Sequence, residues 1–576
     1  MKKFRWDFAV FILYIIIVIL LNLFVIKQSS GPVHFNDEVR YWDIAFNISN
    51  GAFNIQEEHH YPPLYPLFIT PAFTFFQPNQ TYSVVKWINV LSIASVCFPI
   101  YLILKKFMDG MSSILVTSIV MISPIFITFP GSVLSENLFL PLFFWALYLS
   151  LFDIFPKEDK WIFFQELLFG SVLAFLFLTR YIALALIPAF YFIWWLKTHN
   201  HSANLLVVNK EIIFRLILSI IPLMLFLGVW VNLGLKANLP FVSVFGFGLT
   251  PNNEIQDLNL SGLLLWILLY LSYLLLVSSP AVLLFIFSIF NINLRNWRND
   301  YERWILSLVI VLIFFLIPTV EHSWSAWYNN PLPTKIQGRY IIYFAPLFFI
   351  SAFITLPNLK SKSLFGKKLY LVSIIIGIWV IFSYLVFFKG EIFLGKRISF
   401  SPSSPFGFLV SQLGLIFLAS VVFMYFFLTY ALIQKKLKIT PYLSIFYIVL
   451  FIIGGLKVFQ RRLVELQHYN YQAKNISEVF YKEIQENQIA QPWVIDSVFN
   501  KHFDEKSKYY LNTLKFNGFF LGNTSFTPDD SDEILSIDFS GKKYYLFTED
   551  YFDPTQKILQ QFELQDDTYI ISMKTE

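Results

Sequence analysis

Apolar residues in this chain run in long unbroken stretches, separated by charged or Pro/Gly-rich segments. Thirteen such stretches can be bounded, at about 8–26, 83–104, 112–130, 134–152, 161–178, 181–196, 213–235, 262–289, 304–320, 340–356, 369–388, 406–433 and 441–458. A helix needs about 20 consecutive apolar residues to cross a bilayer, so repeated runs of this kind predict membrane spans rather than one buried core. The pattern predicts a polytopic α-helical membrane protein of about 13 transmembrane helices. From about Val458 the texture changes: polar and charged residues alternate with aromatics, and no run of span length remains. In this tail 473–487 has helical periodicity, 492–498 and 543–548 read as strands, and 558–564 with 568–573 read as a hairpin around Gln565-Asp566-Asp567. The expected organisation is a membrane domain at 1–459, with a first loop at 28–82, followed by a small α/β domain at 460–576.

Composition agrees. Of 576 residues, 56% are hydrophobic and 14% charged, too apolar a balance for a soluble fold. The first run follows Met1-Lys2-Lys3-Phe4-Arg5 as a signal peptide would, but it is too long for an h-region and has no A-x-A cleavage site, so it reads as a retained anchor. Cys97, the single cysteine, lies within an apolar run, which excludes a disulfide within the chain and argues against a catalytic thiol. The net charge of +5 is spread over loops, with no basic block among exposed aromatics, so nucleic acid is not an expected partner.

The basic residues give an orientation. With the N-terminus cytoplasmic, the cytoplasmic segments before Lys457 hold twenty Lys and Arg, against ten in the opposite loops and span ends. Every cytoplasmic loop carries at least two, as the positive-inside rule requires. The expected setting is the plasma (inner) membrane, with the C-terminal domain on the extracytoplasmic side.

Charge inside the membrane costs about 2.5–3.5 kcal/mol per residue and marks ion or proton paths. The middles of the thirteen runs contain essentially no charge, which argues against ion-coupled transport. The outer ends gather it instead: Asp37, Glu38, Glu57, Glu58, His59 and His60 in the first loop, Glu136 in the turn before the fourth span, Arg180 at the head of the sixth, Glu321 and His322 after the ninth, and Arg339-Tyr340 at the start of the tenth. Singly, each can be an interfacial residue solvated by headgroups; Arg180 and Arg339 can snorkel from span ends. Asp37-Glu38 can also open an interfacial helix beginning near Val39. Together, carboxylates and arginines at one depth suggest a site.

The pair Asp37-Glu38 after the first span, His60-Tyr61-Pro62-Pro63-Leu64-Tyr65-Pro66, Ser135-Glu136-Asn137, Thr179-Arg180 and Gly338-Arg339-Tyr340 together resemble the GT-C class of integral-membrane glycosyltransferases. The similarity is to the protein O-mannosyltransferase family and its bacterial relatives, including lipid A aminoarabinose transferases. The motifs cover about residues 1–360, and the remainder is similar in topology. The resemblance implies a hexosyl- or pentosyltransferase that takes a sugar from a polyprenyl-phosphate-linked donor to a hydroxyl of a lipid, glycan or protein acceptor, with inversion.

Such chemistry needs a carboxylate base for the acceptor proton; Asp37 is the first candidate and Glu38 the alternative. The leaving phosphate needs charge stabilisation, which arginine gives through two parallel donors, so Arg180, Arg339 and Tyr340 are expected to hold it. Glu136 matches the second acidic position. His60, Tyr61, Pro62 and Pro63 are expected to shape the substrate loop, Pro62-Pro63 also aiming the chain at the next span. No cofactor is required. A divalent metal is an option that Glu58, His60 and His322 could serve, although no fixed ligand spacing such as H-E-x-x-H occurs. Asp529-Asp530-Ser531-Asp532 lacks the complete calcium-loop pattern and reads as acidic surface. Alternatives from other classes are a lipid-linked glycan flippase or exporter, and a polysaccharide polymerase. Transfer of a preassembled glycan to asparagine is disfavoured because no W-W-D-Y-G-like segment occurs.

Overall fold

The computed structural model describes residues 2–27, 36–154, 159–199, 210–246, 260–293, 296–325, 335–336, 338–359, 366–388, 399–400, 405–434 and 439–454, and, further on, residues 482 and 485–486 and six strands. Over its described residues each of the thirteen apolar runs is largely helical, the last of them as far as 454. Among the described residues, eight helices are long and apolar enough to cross a membrane, or nine if the bent pair Gly110–Met121 and Pro124–Gly131 is one span. Six further apolar helices are shorter, among them Glu136–Leu151 and Ala183–Thr198. The run at 262–289, expected as one span, is two helices, Leu260–Ser278 and Ala281–Phe290. Pro280 stands between them and lacks the N–H that a continuous helix would need.

In chain order the helices that build the site are α1 (Lys2–Lys27), α2 (Asn36–Ser49), α3 (Ile55–Glu58), α4 (Leu64–Phe75), α5 (Pro78–Ala94), α6 (Cys97–Lys105), α7 (Gly110–Met121), α8 (Pro124–Thr128), α9 (Glu136–Leu151), α10 (Asp159–Thr179), α11 (Ala183–Thr198) and α12 (Lys210–Lys236). They continue with α13 (Phe241–Val244), α14 (Leu260–Ser278), α15 (Ala281–Phe290), α16 (Asp300–Ser325) and α17 (Phe344–Leu359). Large apolar side chains on outward faces, such as Leu225 and Met224 of α12, are exposed to more than 60%. In water such a surface would drive association, whereas in lipid it costs nothing. The chain is an integral membrane protein.

The first loop is folded. Asp37 and Glu38 lie in the first turn of α2, where the helix dipole favours acids. Tyr41, Trp42 and Ala45, on one face of α2, pack with Tyr65, Ile69 and Ala72 of α4. Asn54 caps α3 by accepting from the Gln56 N–H at 3.1 Å. Pro63 precedes α4, so Pro62-Pro63 ends one segment and starts the next. Two long-range hydrogen bonds tie α3 to the bundle: Gln56 Nε2 donates to the Ala237 carbonyl at 2.8 Å, and Tyr181 Oη donates to the His59 carbonyl at 2.6 Å.

At the helix ends remote from this loop, four charges join four successive helices. Lys197 of α11 meets Asp153, just past α9, at 3.2 Å, and Arg215 of α12 meets Glu166 of α10 at 2.5 Å. Trp194 Nε1 donates to the other Glu166 oxygen at 2.7 Å. Burial alone would raise the Asp153 carboxyl, but Lys197, Gln165 and Arg215 hold it down at about 2. The lone acid within the fifth span, Glu166, is therefore a paired structural group. Along their length α10 and α12 touch backbone to backbone at Gly170, where any Cβ would collide with the Ser219 carbonyl.

Beyond the helices the tail contains six strands, β3 (Val494–Asn500), β4 (Phe520–Thr527), β5 (Ile534–Phe539), β6 (Lys542–Thr548), β7 (Lys557–Leu564) and β8 (Asp567–Lys574), in the order β4-β3-β5-β6-β8-β7. Short strands β1 (Lys335–Ile336) and β2 (Ser399–Phe400) pair separately, in parallel. The expected closing hairpin is the antiparallel pair β7/β8. Strands β4 and β5 were not expected; β4 reads Phe-Leu-Gly-Asn-Thr-Ser-Phe-Thr, whose Gly and Asn are turn residues. The helix expected across 473–487 and the acidic run 529–532 lie outside the described residues, apart from residues 482 and 485–486.

Candidate active site

Two acid–arginine pairs meet at one end of the bundle, and Glu136 is their one fully buried member. Asp37, in the first turn of α2, pairs through Oδ2 with Nη2 of Arg339, which sits on the 3-10 turn Gly338–Tyr340 ahead of α17. Glu136, in the first turn of α9, pairs with Nη1 of Arg180, which sits in the break between α10 and α11. Tyr340 lies between the two cations, its ring centre 5.2 Å from the Arg339 guanidinium and 5.5 Å from that of Arg180. Such approaches to a ring face help to hold a desolvated guanidinium. Arg180 Nη1 also donates to Tyr343 Oη at 3.1 Å.

The other Asp37 oxygen accepts from Tyr61 Oη at 2.8 Å. Burial alone would raise the Asp37 carboxyl, but Arg339 and Tyr61 hold it below its ordinary value, so it is ionised at neutral pH. Burial and Asp37 push the Tyr61 phenol far up, which keeps its proton in place to donate. Burial would lower both arginines, but Glu136 holds Arg180, and Tyr340 with Asp37 holds Arg339, above the ordinary value.

These groups open onto a cavity of about 1330 Å³. Its lining includes Asp37, Tyr61, Arg180, Arg339, Tyr340 and His322, the polar residues Asp43, Asn47, Glu58 and His60, and apolar Ile182, Leu184, Phe245 and Ile317. A pocket for a small ligand is typically 300–1,000 Å³, so this one has room for two substrates.

Three expected residues stand apart. Glu38 is fully buried and absent from the cavity wall, and it accepts from the Val133 N–H at 2.7 Å. The cause is helical geometry: consecutive residues point about 100° apart, so Asp37 and Glu38 cannot share one direction. Glu136, 1% exposed, also lies behind the wall and reaches the cavity only through Arg180. Pro62 lines the cavity, whereas Pro63 does not.

No family model and no curated protein sequence matches the chain. Solved structures do. ArnT from Cupriavidus metallidurans bound to undecaprenyl phosphate superposes with a TM-score of 0.52 and 11% identity, over 98% of this chain and 97% of that one. The apo state of the same protein gives 0.51, 11%, 100% and 98%. The chain has the ArnT fold. The likeness extends through nearly all of both chains.

Within this ArnT fold the metal candidates do not converge. Glu58 accepts from Asn47 Nδ2 at 2.5 Å, and burial raises its carboxyl. His60 stacks on His59 at 4.5 Å between ring centres, and burial lowers its imidazole. His322 meets the Tyr340 ring edge-on at 5.1 Å. Among the described residues, no three or more His, Cys, Asp or Glu side chains are grouped to hold an ion. Sequence reasoning missed Tyr343, and also Arg40 and Asn47, which line the cavity; Tyr343 had a signal, standing three residues beyond Tyr340.

Proposed function

We propose that this protein is an inverting glycosyltransferase that moves one sugar from a polyprenyl-phosphate-linked donor to an acceptor hydroxyl on the extracytoplasmic face of the membrane. The observation that carries the reading is the contact of Asp37 with Arg339 on the wall of one large cavity, with Arg180 across Tyr340. A carboxylate base and a phosphate-gripping cation are what the transfer requires side by side. Undecaprenyl phosphate is bound by the ArnT whose fold the chain shares, and this supports a carrier lipid of that class.

In the reaction, Asp37 takes the proton of the acceptor hydroxyl as its oxygen attacks the anomeric carbon. The bond from that carbon to the phosphate oxygen breaks with inversion, and its electron pair leaves with the lipid phosphate, whose added negative charge falls on Arg339 and Arg180. Glu136 is a positioning residue, setting Arg180 and offsetting its charge. Glu38 serves the fold rather than the chemistry. A divalent ion, if one takes part, would draw on Glu58 or His60 at the cavity wall, and no step above depends on it.

The same reading takes thirteen crossings, the N-terminus in the cytoplasm, the plasma membrane as location, and residues 460–576 as an extracytoplasmic α/β domain. The test uses the full chain in nanodiscs with radiolabelled undecaprenyl-phosphate-linked sugars and cell-envelope acceptors. Expected is release of undecaprenyl phosphate with label on the acceptor, abolished in folded Asp37→Asn. Undiminished transfer by Asp37→Asn overturns the assignment.

A further inference from the structure

The two ion pairs at the cavity differ in a way that the transfer reaction makes consequential. Glu136 is sealed behind the wall, so nothing entering the cavity can reach its carboxylate. Asp37 and Arg339 both stand on the wall, with side-chain exposures of 22% and 12%. Both oxygens of Asp37 accept, Oδ1 from Tyr61 and Oδ2 from Arg339, and although each keeps a further lone pair, pairing with the guanidinium makes the carboxylate a weaker base for an acceptor hydroxyl. Arg339 is held through Nη2, the nitrogen shared by both of the edges with which a guanidinium grips a phosphate. Its Nε is buried without a hydrogen-bond partner, so its side edge is half used.

We propose that the Asp37–Arg339 pair is a lock which the donor phosphate opens: the phosphate takes Arg339, and Asp37, still held by Tyr61, is thereby released to act as base. This rests on the functional reading above and adds an order to it. Phosphate and Asp37 are two anions competing for the charge of one guanidinium, so the carboxylate regains its full basicity once the donor is seated. Acceptor that arrives first meets a base still paired with Arg339. Tyr61 becomes a positioning residue, since after Arg339 leaves it is the hydrogen bond that keeps Asp37 aimed.

The competition has a readout besides turnover. A protein whose competent state is a minor fraction binds more weakly by that fraction, and removing the competitor restores the affinity. Binding of undecaprenyl phosphate to the full-length protein in nanodiscs should therefore tighten about tenfold or more in Asp37→Asn, although that variant is catalytically dead. Arg339→Ala should lose most of the binding. Tyr61→Phe should bind undecaprenyl phosphate within about twofold of wild type while kcat falls by about tenfold or more, with donor KM little changed. Wild-type kinetics should be ordered, donor before acceptor. Unchanged or weaker binding by a folded Asp37→Asn overturns the lock and leaves the functional reading standing. Failure of wild type and all variants to bind overturns both.

Discussion

The Glu38 carboxylate and the Val133 backbone N–H, 95 positions apart in sequence, are joined by a hydrogen bond of 2.7 Å. It fastens the first loop to the turn that carries Glu136, and Lys86 of α5 lies close enough to feel the same carboxylate. Glu38→Ala would strand a buried donor and a buried ammonium, and should cost about 3 kcal/mol. Glu38→Gln keeps the acceptor and should cost less. Thermal unfolding in detergent checks the order; an active, fully stable Glu38→Ala would refute the structural role.

Glu136 and Arg180 should be strongly coupled. Removing one partner of a buried pair leaves the other charge uncompensated, at about 3–5 kcal/mol. Glu136→Gln and Arg180→Met should each destabilise by several kcal/mol, and the double variant by clearly less than their sum. Unfolding midpoints of the four proteins measure the coupling, and additivity would rule it out.

Glu58 should carry a pH signature. Burial raises its folded carboxyl above the unfolded value, so its favourable contribution is complete below the unfolded pKa of about 4.3 and is lost as pH rises through the folded one. Gln at this position still accepts from Asn47 and does not ionise. The midpoint of Glu58→Gln minus that of wild type should be near nil at pH 4 and grow positive toward pH 7. His60, lowered by burial, acts with the opposite sign and cancels in this difference. A difference that is flat with pH would remove the effect.

Gly170→Ala should destabilise by more than about 2 kcal/mol, because the atom it would strike is the Ser219 carbonyl, and backbone cannot step aside as a side chain does. Expression level and unfolding midpoint report it. A wild-type midpoint would show that α10 and α12 can separate.

The spans were legible because lipid demands long apolar runs, which no soluble element imitates. Their internal breaks were less so: in the run 262–289 the division is marked by Ser278-Ser279-Pro280, with no charged residue beside it. The folded first loop was half legible. Asp37-Glu38 signalled a helix start, but the face of α2 that carries Tyr41, Trp42 and Ala45 is defined by its packing against α4. At the site, residue types could be read and partners could not. Asp37 and Arg339 are 302 positions apart, and no local pattern says which arginine meets which acid. Nor does sequence decide which of two adjacent acids faces the cavity, since that turns on how α2 is rotated about its axis.

The quartet Asp153, Glu166, Lys197 and Arg215 pins α9, α10, α11 and α12 at their far ends. Pinned there, the helices behave as levers with a common fulcrum. With 21 residues, α10 is about 30 Å long at about 1.5 Å per residue. The pin at Glu166 lies 14 residues, about 21 Å, from Arg180, so a tilt of about 4° there swings Arg180 by about 1.5 Å, roughly half the length of a hydrogen bond. Small yielding in a distant, electrically neutral knot of side chains would thus move Arg180 at the cavity wall.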